Sequence, residues 1–459
     1  MQDKKDLEKM KKINMNSDRW PRILFFCSLC IILFLYGFSS YRYKWFPYSF
    51  LSKFLSEAEK GKNKIMYPKK DGREFQYRRT DETDRITTYD MNAAFNNPTM
   101  ITSVSAKDSL CVEIIDMDGT TIHKWNIDWF RIWPDASHIP KRDMPRSRPG
   151  THIHGAVLLD CGDLVFNFEH LGMVRLDVCG NVVWRLPYRT HHSIYKDEFG
   201  NLWVPGQRDH ETKLAGYPNY RPPFTEPVVL KVSREGKILK EISIMDLLMK
   251  NDLPGLLYMS TKNNETTIVT GNTLHLNDVE PFPSSMKEGV FQAGDIMVSL
   301  RNINTILIFS ETNERIKCIS TGKYVRQHDP DFIDGNMISV FDNNNVAPED
   351  YGHQSRIVIQ SFTDHRTFVF YTGNDKNRFY THIMGKHQWL PNGNLLIAES
   401  MNGRAFEIDK KGRIVWEFVN IVEKGYTGIL EEAERLPGKY NRDFFARKTD
   451  ACRHARLNE

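Results

Sequence analysis

The chain predicts an all-β fold, a six-bladed β-propeller, preceded by a single N-terminal transmembrane helix. Three observations carry the prediction. Short apolar strands led by glycine recur along the chain, a second hairpin of the same grammar follows each one, and a histidine sits just upstream of five of them. The five are His154 before CGDLVFNF, His192 before FGNLWVPG, His275 before AGDIMVSL, His328 before DGNMISVF and His387 before NGNLLIAE. In four of them the gap from His to Gly is six to eight residues; the His275 unit is longer. Residues at one phase of a radial repeat converge on the axis, so these imidazoles predict an axial site.

From the N-terminus, residues 1–22 are a basic segment holding Lys4, Lys5, Lys9, Lys11, Lys12, Arg19 and Arg22. Residues 23–41, Ile23 to Tyr41, carry no charge and have the length needed to cross a hydrocarbon core. Only Arg42 and Lys44 follow closely, so the N-terminus is expected in the cytoplasm and the propeller on the translocated side, in a periplasm, a secretory lumen or outside the cell. Gly37 and Ser39 have the spacing of a signal-peptide cleavage site. A basic region this long, with an aromatic belt at Tyr36, Tyr41, Tyr43, Trp45 and Tyr48, favours an uncleaved anchor. Residues 42–94 read as a stalk, 95–425 as the propeller and 426–459 as a C-terminal helical extension.

The blades follow from hairpin grammar. VEIIDMDGTTIHKW (112–125), VRLDVCGNVVWRL (174–186), VLKVSREGKILKEI (229–242), ILIFSETNERIKCI (306–319) and RAFEIDKKGRIVWEF (404–418) each alternate apolar residues on both sides of a turn, usually glycine-bearing. Their period varies between roughly 40 and 90 residues, as blades with unequal insertions would. Five units are clear, and the segment around 95–130 supplies the sixth. A ring leaves only short protected edges, which a β-sandwich of this length would not.

Composition excludes some partners. With 62 basic and 58 acidic residues, net charge +4, nothing points to nucleic acid. Seven cysteines make no framework: Cys27 and Cys30 lie in the apolar span, and Cys111, Cys161, Cys179 and Cys318 lie in or beside strands. A Cys161–Cys179 disulfide is conceivable between neighbouring strands, and no Cys-x-x-Cys pair outside the span offers a zinc site. Asn264-Glu-Thr is a glycosylation sequon, which does not by itself choose a lumen over a periplasm.

The chemistry rests on three strings. His154, His191, His192, His275, His328 and His387 have different neighbours, and Asn277, Asp278 and Asp329 adjoin two of them, where they could fix an imidazole's tautomer. Arg301 ends the strand GDIMVSLR; an arginine there is costly to bury without an anion, and near an axis it offers a planar fork to a tetrahedral oxyanion. QHDPDFIDGNMISVFDNNN (327–345) joins a Gln-His-Asp turn to a strand ending in Phe-Asp-Asn.

That last string resembles the arylsulfate sulfotransferase family, PAPS-independent enzymes built on six-bladed propellers. The resemblance implies that His328 is the nucleophile that carries the sulfuryl group. It matches His191 and His192 in HHSIYKDEFGNLWV, His275 in HLND, and Ser299 with Arg301 in GDIMVSLRN to further site positions, over about residues 110–420. The motif spacings differ from those of the bacterial enzymes. The implied activity is ping-pong transfer from an aryl sulfate donor to a phenolic or hydroxyl acceptor through a sulfohistidine. His328, His275, Arg301 and His192 are then catalytic, and His191, His154, His387 and Asn277 bind substrate. No cofactor and no metal is expected, which agrees with the lack of a phosphate-binding glycine loop. Two other readings stay open: a His-ligated metalloenzyme, and a membrane-tethered propeller that binds without catalysis. A homodimer is compatible with either.

Overall fold

The computed structural model describes residues 19–43, 45–48, 75–78, 81–105, 109–259, 268–346 and 352–457. The basic segment before residue 19, most of the stalk and Asn264 lie outside the described residues. Residues 1–74 and 75–459 are two separate compact units. In the first, Arg19–Tyr43 is one helix, long and apolar enough to cross a membrane, with its side chains exposed almost throughout. At 1.5 Å per residue it spans about 37 Å, more than a hydrocarbon core.

The second unit is a six-bladed β-propeller. Blades two to six run outward from the axis in chain order. Their innermost strands are Ile153–Leu158, the split pair Arg189–Thr190 and Tyr195–Lys196, Leu276–Pro281, His328–Phe332 and Lys386–Trp389. Blade one is completed from the other end of the chain. Thr99–Ser105, Ser109–Ile115 and Thr121–Ile127 pair around an innermost strand, Leu430–Arg435, in antiparallel register Thr99↔Arg435. Ile86–Tyr89 in turn extends the outer edge of blade six against Ile414–Val419. The propeller therefore extends beyond 425: the expected helical extension is a helix only at Arg442–Leu457, and LEEAER at 430–435 is a buried strand.

A hairpin turn closed by a left-handed glycine recurs in blades one, two, three and six, while Glu314 and His365 take the left-handed position in blades four and five. In the Asp197–Asn201 turn, the Asp197 carboxylate accepts from the Asn201 amide (2.7 Å), while Gly200 (φ 79°) donates to the Asp197 carbonyl (2.9 Å). A left-handed φ at the fourth position is cheap only for glycine. The tryptophans that end outer strands clamp adjoining blades in a cyclic pattern. Trp125 donates its indole N–H to Asp177 O, Trp184 to Arg234 O and Trp416 to Met117 O, each at 2.8–2.9 Å and each to a turn of the next blade. Cys179 is in a disulfide, whereas Cys161 is a free exposed thiol, so these two do not pair.

Candidate active site

The start of each inner strand faces one end of the axis, and the imidazoles gather there. His192 is their hub: its ring centroid lies 3.9 Å from His154, 4.9 Å from His191, 5.1 Å from His275 and 6.2 Å from His328. Sequence phase alone does not explain this approach. His191 and His192 sit in the break of the blade-three inner strand, and Gly155 lets that break come close. A β-carbon on Gly155 (φ 127°) would stand 2.2 Å from the His192 carbonyl. The His-x-His-Gly string is thus a contact requirement as much as a pair of ligands.

His328 and His275 are each oriented by an asparagine side chain, and His191 and His192 by one another. His328 Nδ1 lies 2.6 Å from Asn343 Oδ1 and 3.1 Å from Arg326 O, both acceptors, so Nδ1 carries the proton and Nε2 the lone pair. The Asn343 amide is itself fixed, donating to Thr381 O (2.9 Å) and Met384 O (2.7 Å). Nε2 is approached by the Met384 amide at 3.3 Å. His275 has the opposite tautomer. Asn272 donates Nδ2–H to His275 Nδ1 (3.0 Å) and accepts the His275 amide (3.0 Å), leaving a buried Nε2–H without a partner. His191 and His192 share a proton between their Nδ1 atoms, 2.7 Å apart. The Gly206 backbone favours a proton on the other His191 nitrogen, so His192 donates and keeps Nε2 as an acceptor.

Burial keeps the whole group neutral. It pushes His154, His191, His192 and His275 well below the ordinary imidazole value, helped by neighbouring imidazoles and, at His275, by Arg301. His328 is pushed down to about 3 by burial and Arg301, despite the hydrogen bond from Nδ1 to Asn343. Arg301 is itself lowered to about 10, by burial and then by Arg326. Its guanidinium meets only Asn302 Oδ1, at 3.4 Å, and Arg326 donates to the same oxygen at 2.5 Å. Neither arginine has a carboxylate within ion-pair distance among the described residues. Two cations sharing one neutral acceptor beside unpaired donors are short of negative charge.

His154, His192, His328, Asn277, Glu431 and Met384 line a cavity of ≈ 20 Å³, together with Ser193, Asp278, Asp329, Gly385 and Lys386. That is room for about one water-sized group. Asn277 is there, but its Nδ2 donates to Gln327 O (2.8 Å) and its Oδ1 has no partner. His387 is not brought to the cluster. Its side chain turns between blades five and six. There Nδ1 bonds Asp329 Oδ2 (2.9 Å) and Nε2 bonds Ser339 Oγ (2.7 Å). Nor do the adjacent acids set tautomers as the sequence suggests. Asp329 holds His387 rather than His328, and Asp278 accepts from Ser193.

Sequence reasoning missed Asn272, Asn343, His152, Glu169 and Glu431. Asn343 had a signal, being the Asn of Phe-Asp-Asn; the others had none that is local. Below the imidazoles the axis turns acidic, with Asp278, Glu280, Asp329, Asp331, Glu432 and Glu434 around Lys386, beside a cavity of ≈ 400 Å³. Burial, then Asp329, pushes Asp278 up to about 7; burial also raises Glu280, Asp331 and Glu432.

With this geometry in place, the model of the family described as Arylsulfotransferase (ASST) matches residues 155–421, more than half of the chain. The chain belongs to the arylsulfotransferase family. Membership suggests arylsulfotransferase activity and implies a sulfotransferase-type enzyme. No curated protein matches the chain. Among solved structures it is similar to a Bacteroides caccae protein of unknown function, at 12% identity over 73% of this chain and 98% of that one, TM-score 0.46. It is also similar to a catalytically inactive virginiamycin B lyase from Staphylococcus aureus, at 12% identity over 60% and 72%, TM-score 0.33. A nidogen/laminin complex gives 10% identity over 73% and 97%, TM-score 0.40. Scores this low carry no argument about function.

Proposed function

We propose that this arylsulfotransferase moves a sulfuryl group from an aryl sulfate to a phenolic or other hydroxyl acceptor through a sulfohistidine on His328, without a nucleotide donor. The observation that carries the reading is the His328 imidazole, neutral, lining the cavity, with Nδ1–H tied to Asn343 and Arg326 and the Nε2 lone pair held only by a long bond from the Met384 amide, which a donor would displace. An aryl sulfate is a monoanion, and its sulfur asks for a neutral nitrogen nucleophile. In the first half-reaction the His328 Nε2–sulfur bond forms as the bond from sulfur to the aryl oxygen breaks. Arg301 and the unpartnered His275 Nε2–H receive the sulfuryl oxygens. His192 gives the departing phenolate a proton. In the second half-reaction the acceptor hydroxyl returns that proton to His192 Nε2 as its oxygen displaces His328 from sulfur. The donor's negative charge supports the protonated His192 that the free site disfavours.

His154, His191 and Asn277 shape the pocket around these groups, and His387 acts at one remove by holding Asp329 beside His328. The cavity takes the sulfuryl end of the donor once the flexible Met384 side chain gives way. The Arg19–Tyr43 helix is read as an uncleaved anchor with a cytoplasmic N-terminus and a translocated propeller. Incubation with an aryl sulfate should add the mass of one sulfuryl group to the intact protein. His328→Ala should lose both that adduct and transfer while melting like the wild type. An adduct that persists in His328→Ala would refute the assignment.

A further inference from the structure

A second cluster lies across the axis from Arg301, where blades one and two meet. His152 precedes the blade-two inner strand and His154 is its second residue, and Glu431 sits on the inner strand of blade one. All three are buried, and one ligand atom from each falls within 4.8 Å of the others. Their Nε2 atoms both face Glu431: His152 at 3.8 Å from Oε1, His154 at 3.4 Å from Oε2. A second carboxylate, Glu169, faces the opposite edges of the same rings, 3.3 Å from His152 Nδ1 and 3.9 Å from His154 Nδ1. Yet both nitrogens of His152, Nδ1 of His154 and Oε1 of Glu431 form no hydrogen bond. Buried polar atoms left so are costly, and two of them, His152 Nε2 and Glu431 Oε1, face each other across 3.8 Å.

We propose that His152, His154 and Glu431 bind a zinc-class divalent transition-metal ion, with Glu169 accepting from the outer N–H groups of the two histidines. Two imidazole nitrogens and a carboxylate oxygen are a borderline donor set for such an ion. Metal bonds of about 2.0–2.1 Å place tetrahedral ligands about 3.4 Å apart, so separations of up to 4.8 Å close on binding by side-chain rotation of about an ångström. A carboxylate on the far ring nitrogen is the usual orienting partner of a metal-bound histidine, and Glu169 occupies that place for both rings. His154 and Glu431 also line the cavity that holds His328, so the open fourth position faces the sulfuryl-transfer pocket and accepts a water or hydroxyl oxygen.

The other group with ligand spacing, Asp329, Asp331 and His387, is already committed. His387 spends its nitrogens on Asp329 and Ser339, and Asp329 pairs with Lys386 at 3.4 Å.

The test uses the full chain in detergent, without a polyhistidine tag, stripped by chelator and titrated with Co²⁺. One cobalt per chain should bind, with the visible bands of a four-coordinate nitrogen and oxygen site, and Zn²⁺ should displace it. His152→Ala and Glu431→Gln should each weaken binding more than about 100-fold, and Glu169→Gln about 10–100-fold. Thermal unfolding of the stripped variants checks the fold. Glu169 is partly exposed and its substitution tolerable, so an unchanged affinity in Glu169→Gln overturns the site even if the other two variants fail to fold. Less than stoichiometric cobalt in the folded wild type, or an unchanged spectrum in His152→Ala, overturns it too. The sulfuryl adduct on His328 is read on the same preparation, and its absence bears on the proposed reaction alone.

Discussion

Arg301 makes the strongest demand of any residue in the site, because a guanidinium that is mostly buried with only an amide oxygen for company is an anion receptor lacking its anion. Arg301→Lys keeps the charge and loses the fork, so kcat should fall about 10²–10³-fold, as when an oxyanion donor is removed. KM for the donor should change less, which steady-state kinetics with a series of aryl sulfates would show. Asn343 offers a sharper test of how His328 is held. Asn343→Leu removes the nearer of the two acceptors for Nδ1–H, leaving only the Arg326 carbonyl, and loosens the ring. Formation of the sulfuryl adduct should slow by at least about tenfold while unfolding by denaturant shifts little in slope. If the adduct forms at the wild-type rate, the Asn343 bond does not set the nucleophile's tautomer.

The hairpins were legible because their cause is local: a D-x-x-G turn with one left-handed glycine writes itself into four residues, and apolar alternation writes the strands. The closing strand was not. Leu430–Arg435 reads LEEAER, six residues with good helix propensity, yet it pairs with residues some 330 positions away, and tertiary context overrides the local preference. Its glutamates contribute to the acidic layer and, through Glu431, to one wall of the proposed metal site. The same distance hid His152–Glu431 and Asn272–His275, since no spacing in the chain announces which blade will stand beside which. His387 shows the converse error: its phase ahead of a Gly-led strand resembles His328, but bonds from both ring nitrogens to Asp329 and Ser339 hold it away from the cluster. The closing strand is locked by Arg435, which pairs with Glu407 of blade six at 2.8 Å, both side chains fully buried, and lies over the Trp416 ring. Arg435→Met should cost about 3–5 kcal/mol by leaving the buried Glu407 carboxylate without its cation, with only Phe95 N and Asn394 Nδ2 donating to it. Adding Glu407→Leu should restore much of that loss, a cycle measurable by denaturant unfolding.

Across the whole propeller, the axis stacks two layers with opposite proton habits. Burial depresses His154, His170, His191, His192, His275 and His328, so the unfolded chain binds protons that the folded chain refuses. Their contribution is present above the unfolded value of about 6.5 and is lost as pH falls, at about 1.4 kcal/mol per pH unit for each group. The carboxyls below behave in reverse. Asp278, raised to about 7 by burial and Asp329, contributes stability that is full below about 4 and lost as pH rises through 7. Glu280, Asp331 and Glu432 are raised in the same sense. Between about pH 4 and 6.5 the two slopes oppose each other, six imidazoles against four carboxyls, which predicts an acid limb much shallower than the imidazoles alone would give. A protonated Asp278 also spares the anion pocket a negative charge at its floor. Asp278→Asn keeps the shape and an acceptor for Ser193 Oγ while abolishing the titration. It should stabilise the fold by up to about 4 kcal/mol at pH 8 and by almost nothing at pH 4, because the slope of about 1.4 kcal/mol per pH unit acts from about pH 4 to about pH 7. Denaturant unfolding of the full chain at pH 4, 6 and 8 reads the difference. A gain of equal size at every pH would mean that Asp278 stays ionised throughout and that the acidic layer does not balance the imidazoles.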